Sequence, residues 1–189
     1  MTEHTRRSFL AAVGAGGALA GCLGLGGNGD GDGDGGGGDG DAGTLVDPGD
    51  WYTAELTDVR TGETFAVADL SAPVLVETFA VWCSTCLSQQ RETETLHERR
   101  PEVTSVTLNV DPNEDATRVR DHLRERGFDW RYAVSPSSVT DSLVEQFGSS
   151  MTVPPRAPVV VVCGDGAVRL GDGVKSADRL AAAIDDNCG

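Results

Sequence analysis

Beyond its first 43 residues the chain is a succession of short apolar runs and helically spaced stripes. Pro73-Val-Leu-Val-Glu-Thr-Phe-Ala-Val81 is an almost unbroken apolar segment. A run of that length fits a strand covered on both faces, so Val74 to Ala80 is expected as a core strand. Val103 to Val110, ended by Asp111-Pro112, and Val159 to Cys163 are two more. A short strand is expected around Trp130 to Val134. Gly164-Asp165-Gly166 reads as a turn into an edge strand, Ala167 to Leu170. Trp51 to Val59 and Glu63 to Leu70 flank Thr61-Gly62 and read as a β-hairpin.

Helical spacing fills the gaps. Ala116, Val119 and Leu123 share a face in a helix closing near Gly127, and Val139, Leu143 and Phe147 share another. Ala177, Leu180, Ala181 and Ile184 mark a terminal amphipathic helix. Ser84 to about Arg99 is expected to be helical, although Leu87 and Leu96 make only a thin apolar stripe. Strands alternating with helices, then a closing hairpin and helix, predict an α/β layered domain with a mixed sheet. Residues 44–189 are long enough for one such domain with its own core.

The first 43 residues follow different rules. Thr5-Arg6-Arg7-Ser8-Phe9-Leu10 carries a twin arginine, followed by a small and apolar run from Phe9 to Ala20. That run suits a signal h-region and is too short to span a bilayer. It ends in Leu19-Ala20-Gly21-Cys22, which resembles a lipobox, so residues 1–21 read as a twin-arginine lipoprotein signal and Cys22 as the lipidated mature N-terminus. Such a signal implies export of an already folded protein. Gly26 to Gly43 is almost wholly glycine and aspartate. It has no apolar area to offset its ordering entropy, and residues 22–43 read as a disordered tether reaching on the order of 25 Å. Asp30, Asp32, Asp34, Gly35 and Asp41 match the spacing of an EF-hand calcium loop, but no helix-forming sequence flanks them. The tether is the preferred reading.

Charge narrows the function. The formal net charge is −15, and outside the first 43 residues 24 acidic residues face 13 basic ones. Lys175 is the only lysine. This balance argues against nucleic-acid binding. It resembles the acid-rich, lysine-poor surfaces of extreme halophiles, where cations screen the carboxylates, and with the signal it points to a haloarchaeal lipoprotein.

Trp82-Cys83-Ser84-Thr85-Cys86 directly follows the first core strand. A C-x-x-C where a strand gives way to a helix is a dithiol/disulfide redox signature. The first cysteine then sits at a helix N-terminus, where the dipole and unpaired N–H groups favour thiolate. Two intervening residues let the second sulfur close an intramolecular bond. A structural disulfide or half a zinc site is the alternative, but His4, His97 and His122 offer no paired ligand spacing. No metal and no cofactor is expected.

From about Trp51 to Asn187 the chain resembles thioredoxin-fold proteins of the TlpA/ResA type, membrane-anchored extracytoplasmic thiol oxidoreductases. The resemblance rests on Phe79-Ala-Val-Trp-Cys-Ser-Thr-Cys86 and on Ala157-Pro-Val-Val-Val-Val-Cys-Gly-Asp-Gly166, in that order and at that spacing. It implies a thioredoxin-like domain over residues 44–189, its central mixed sheet flanked by helices, with an N-terminal β-hairpin extension. Cys83 would be the exposed attacking thiolate and Cys86 the more shielded resolving thiol. Ser84-Thr85 replaces the Gly-Pro or Pro-Pro dipeptide common in relatives.

Glu77 lies where relatives place a buried acid, able to exchange a proton with Cys86; exposure through strand alternation, or pairing with an arginine, is the alternative. Pro158 resembles the fold's cis-proline, with Ala157 presenting backbone to a substrate strand, and Pro154 or Pro155 competing for that place. Trp82 is expected as a shield packed over the disulfide or as a core aromatic. Cys163 and Cys188 either bridge the third core strand to the terminal helix or remain apart. Substrates would be protein disulfides or dithiols, in cytochrome c maturation or extracytoplasmic thiol reduction, with re-reduction by a membrane carrier of the CcdA type. Two other classes compete. A Cu(I) chaperone on Cys83 and Cys86 lacks the C-x-x-x-C and distal histidine of Sco-like relatives, and a peroxiredoxin lacks its Pro-x-x-x-Thr-x-x-Cys pattern.

Overall fold

The computed structural model describes residues 44–164 and 166–189. The signal-like segment 1–21, His4, Cys22, the Gly/Asp tether with its calcium-loop spacing, and Asp165 lie outside them.

In chain order the elements are α1 (Asp50–Thr53), β1 (Leu56–Thr57), β2 (Thr64–Phe65), β3 (Val74–Phe79), α2 (Ser84–Arg99), β4 (Thr104–Asn109), α3 (Ala116–Arg126), β5 (Arg131–Val134), α4 (Ser137–Phe147), β6 (Val159–Cys163), β7 (Gly166–Arg169) and α5 (Ala177–Cys188). Short 3-10 turns cover Val67–Asp69, Ser149–Thr152 and Pro154–Arg156. The main sheet has the order β5-β4-β3-β6-β7. β3, β4 and β5 are mutually parallel, while β6 and β7 run antiparallel to their neighbours. This is the mixed sheet that the pattern predicts.

β3 is central and all six of its residues are buried, which explains its continuous apolar run. Alternation divides its side chains. Val74 and Val76 join Trp51, Val139, Leu143 and Met151 on one face of the sheet. Leu75 packs with Leu96, Leu180 and Ile184 on the other, and Phe79 with Cys83, Cys86, Val119 and Tyr132. Glu77 has the parity of Leu75 and Phe79, so it points into the α2 side of the sheet.

The N-terminal hairpin is much shorter than expected. Pairing is confined to Leu56↔Phe65 and Thr57↔Thr64. Trp51 lies in the short helix α1, and Val67 in a 3-10 turn. Trp51, Leu56, Phe65 and Val67 all enter one apolar cluster. Longer flat strands would place their apolar side chains alternately on two faces and could not bury all four together.

The thin stripe of α2 also has a physical reason. Its buried residues are Cys86, Gln89, Gln90, Thr93 and Leu96, so the helix turns a largely polar face inward. α3 closes where its sequence predicts, Gly127 ending the helix at φ 81°, and its start is capped by the Asp115 carboxylate, which accepts from the Arg118 N–H at 2.9 Å.

Cys163 and Cys188 are bonded, their Cα atoms 5.0 Å apart and 25 residues apart in sequence, which ties β6 to the end of α5. Closing a loop of that length stabilises by about 3 kcal/mol in the chain-entropy treatment. Replacing both cysteines by serine is expected to lower unfolding stability by about that amount, read from urea midpoints, and to leave the Cys83–Cys86 chemistry intact.

Candidate active site

The site begins where β3 stops. After Phe79 the chain turns, and the Cys83 N–H donates to the Ala80 carbonyl at 3.0 Å. The Glu114 carboxylate pins this turn, accepting from the Val81 N–H at 2.8 Å and from the Asn109 amide at 2.6 Å. Cys83 therefore arrives as the N-cap of the 16-residue α2. The Cys86 N–H donates to Cys83 Sγ at 3.0 Å, so the sulfur takes the capping place usually filled by an oxygen. The two cysteines are bonded, with Cα atoms 5.3 Å apart. When that bond opens, the same N–H and the helix dipole stabilise a Cys83 thiolate.

Exposure does not separate the two cysteines. Cys83 is 3% exposed and Cys86 2%, because both sulfurs fold into the apolar cluster of Phe79, Ala80 and Val119. The expected exposed Cys83 is corrected to a nearly covered one. Its distinguishing feature is the capping position.

Trp82 is not a core aromatic: the residue is 57% exposed, and its indole N–H donates to Asp111 Oδ2 at 2.6 Å. That bond is the main reason the Asp111 carboxyl lies below the usual carboxylate range.

The Ala157–Pro158 peptide is trans; among the described residues the cis bond is Ala72–Pro73. The chain reverses at Ala157 through a left-handed backbone, φ 46°, closing the 3-10 turn Pro154–Arg156. Pro158 instead serves the sheet, its carbonyl accepting from the Thr78 N–H at 3.4 Å. The backbone that faces the dithiol belongs to Pro154, whose carbonyl oxygen lies 3.1 Å from Cys86 Sγ. In the reduced chain the Cys86 thiol can donate there.

Glu77 is buried, and burial raises its carboxyl to about pKa 7 against two opposing effects, the Thr93 hydroxyl and the charge of Lys175. The Thr93 hydroxyl donates to Glu77 Oε1. Neither solvent exposure nor an arginine partner describes this residue. Tyr132 on β5 is pushed well up by burial and then by the Glu77 charge.

The histidines are occupied elsewhere. His97 pairs with Ser105 Oγ at 2.9 Å and His122 with Gln90 Oε1 at 3.0 Å. Burial is the main cause lowering both below the usual imidazole value. Among the described residues no cluster of three or more His, Cys, Asp or Glu side chains is arranged to hold a metal ion.

Sequence reasoning missed Lys175, Thr93, Gln89 and Asp111 as parts of this site. The available signal was the lone lysine, just before the helix-capping Ser176, together with polar residues at core spacing on α2.

In sequence the chain matches no protein-family model and no curated protein. In structure it is similar to a secreted disulfide oxidoreductase of Mycobacterium tuberculosis homologous to E. coli DsbE, with TM-score 0.57 and 17% identity over 71% of this chain and 96% of that one. It is also similar to a thioredoxin-family thiol:disulfide interchange protein of Chlorobium tepidum, with TM-score 0.58 and 15% identity over 72% and 93%. A third is BsSco, a member of the Sco family of cytochrome c oxidase assembly proteins, at TM-score 0.57 and 15% identity over 76% and 97%. The fold is thioredoxin-like.

The raised carboxyl has a consequence for stability. Folded, Glu77 keeps its proton up to about pH 7, whereas the ordinary value is 4.5. The folded state then binds the extra proton, so stability falls as pH rises through that window and the loss is complete above it. Glu77→Gln is expected to abolish this decline. Between pH 4.5 and 7 it gains on the order of 3 kcal/mol relative to the parent chain, measured from urea midpoints at both ends of the window.

Proposed function

We propose that the chain is a thiol–disulfide oxidoreductase working by disulfide exchange through Cys83 and Cys86. The observation that carries this reading is the Cys83–Cys86 bond at the N-terminus of α2, with Cys83 Sγ accepting the Cys86 N–H in a domain that also buries Glu77.

In the reducing direction the Cys83 thiolate attacks one sulfur of a substrate disulfide, and the other sulfur leaves as thiolate. A mixed disulfide joins Cys83 to the substrate. The Cys86 thiol then gives its proton to the Glu77 carboxylate, and the Cys86 thiolate attacks the Cys83 sulfur. The second substrate sulfur departs as thiolate and the Cys83–Cys86 disulfide is restored. Two electrons have passed from the dithiol to the substrate; the oxidising direction is the reverse. Trp82 would flank the bound substrate segment, with Pro154 nearest Cys86.

We further infer a TlpA/ResA-like role at the outer face of the cell membrane, with protein substrates and a CcdA-type carrier as electron donor. Arg6-Arg7 and the lipobox-like Leu19 to Cys22 support export and anchoring through the Cys22 lipid. The acid-rich, single-lysine composition supports a haloarchaeal source. Among the described residues no helix is long and apolar enough to cross a membrane.

Cys83→Ser is expected to abolish insulin reduction, and Cys86→Ser to accumulate mixed disulfides that reducing agent releases. Retained turnover in Cys83→Ser would show that the nucleophile is misassigned. The reduction potential gives the direction: near about −270 mV for a reductant, near about −120 mV for an oxidant.

A further inference from the structure

The Cys83–Cys86 bond is nearly covered, but the Cys163–Cys188 bond is not. Both of its residues are only half-buried, and both line a surface cleft of about 360 Å³ with Leu45, Ala72, Pro73 and Asn187 around them.

The cleft is built by fixed backbone. The Val46 N–H donates to the Ala167 carbonyl at 2.9 Å and the Ala167 N–H to the Val46 carbonyl at 2.8 Å, which lays Leu45 beside the start of β7. Gly166 makes room for it, since a Cβ there would stand 3.0 Å from Leu45 Cβ. The Tyr52 hydroxyl donates to the Gly164 carbonyl at 2.8 Å and holds the turn that follows Cys163. Cys188 is the last residue of α5. Helix ends open more readily than helix middles, so this half of the bridge can move once the bond is broken.

Closing a loop needs no access from solvent. A bridge with that role alone would serve equally well under the apolar cover that α5 gives Leu75, Leu96 and Val161. Disulfides open to solvent are the labile ones, and they exchange by attack of a thiolate on one sulfur. The two bridges are also independent. Cys163 follows Val162, which pairs with Val74 at the start of β3, whereas Cys83 lies beyond Phe79 at its end. The six residues of β3 span on the order of 20 Å, so neither pair reaches the other within one chain.

The cleft also selects the nucleophile. Its volume admits a small molecule, whereas a folded domain whose own sulfur is recessed, as Cys83 is, cannot bring it to sulfurs inside a cleft. The last turn of α5 carries Asp185 and Asp186 and no basic residue; Arg100 reaches over to pair with Asp185 at 3.1 Å. An uncharged or cationic thiol is therefore favoured over an anionic one.

We propose that Cys163–Cys188 is a second thiol–disulfide exchange site, taking an uncharged or cationic low-molecular-weight thiol. The thiolate of that molecule attacks Cys188 Sγ, the Cys163–Cys188 bond breaks, and Cys163 leaves as thiolate and takes a proton from water. Cys163 is the better leaving group because Cys188 stands at the negative end of the α5 dipole. A second thiolate then attacks the sulfur of the bound molecule. The small disulfide departs, and Cys188 leaves as thiolate and is protonated in turn. Two electrons pass from two thiols to the bridge, and the end of α5 is released from β6.

The test exposes the oxidised, folded chain to cysteamine, 2-mercaptoethanol or reduced glutathione at equal thiolate concentration. Samples are quenched by alkylation, and Cys163 and Cys188 are mapped separately from Cys83 and Cys86 by mass spectrometry. The bridge is expected to open at a rate unchanged by low urea, with the small thiol captured on Cys188 and cysteamine severalfold faster than glutathione. Leu45→Trp, which fills the cleft, should slow opening on the order of tenfold. A rate that climbs with urea in step with global unfolding means that the bridge opens only in the unfolded chain and overturns the proposal, and glutathione outrunning cysteamine overturns the class of thiol assigned. A pre-reduced Cys163→Ser/Cys188→Ser chain, offered as a protein dithiol, should leave the parent's bridge closed. Opening by it at the cysteamine rate would make the partner a second copy and sink the small-thiol assignment. None of these readouts uses turnover at Cys83–Cys86, whose absence would overturn the oxidoreductase reading alone.

Discussion

The Cys86 N–H reaches Cys83 Sγ at 3.0 Å only because β3 ends at Phe79 and α2 starts four residues beyond Ala80. That junction sets the sulfur chemistry. A cysteine in the middle of α2 would find its N–H neighbours already committed to the helix ladder, whereas at the N-cap an unpaired N–H is available for a thiolate. The Glu114 carboxylate holds the turn from below by accepting from Val81 and Asn109. The central, wholly buried β3 fixes the start of the turn relative to the sheet.

Behind the dithiol runs a polar seam that packing alone would not favour. Glu77, Thr93, Gln89 and Lys175 are all buried between or beside α2 and the sheet. A desolvated carboxyl destabilises the folded state once it ionises, and a desolvated ammonium does the same unless paired. The first effect is opposed by the Thr93 hydroxyl and, less, by the charge of Lys175. The chain also gives every one of these side chains a hydrogen bond, Thr93 to Glu77, Lys175 to Ala157, and Gln89 to the Lys175 backbone. Such a seam suits proton transfer near neutrality better than it suits stability.

Much of this architecture was legible beforehand because it rests on local patterns. The strands of the main sheet, the terminal helix and the C-x-x-C at a strand–helix junction follow from apolar runs, caps and spacing. The hairpin was overextended because Trp51, Leu56, Phe65 and Val67 look like strand residues, while their common burial in one cluster is a tertiary fact. α2 gave a weak signal for the opposite reason: its inward face is Gln89, Gln90 and Thr93, whose partners are remote in sequence. Pro158 drew attention by its place before β6, yet Pro154 faces Cys86, since the reversal at Ala157 cannot be read from residue type. Lys175 was noticed only for being single.

The most direct measurement is the pH dependence of Cys83 alkylation in the reduced chain, with Cys163 and Cys188 replaced by serine and Cys86 followed separately by mass spectrometry. If the capping N–H and the helix dipole hold a thiolate at Cys83, its reactivity should rise with a midpoint clearly below about 8.5 and run ahead of Cys86 at neutral pH. A Cys83 midpoint at or above that ordinary thiol value would contradict the account.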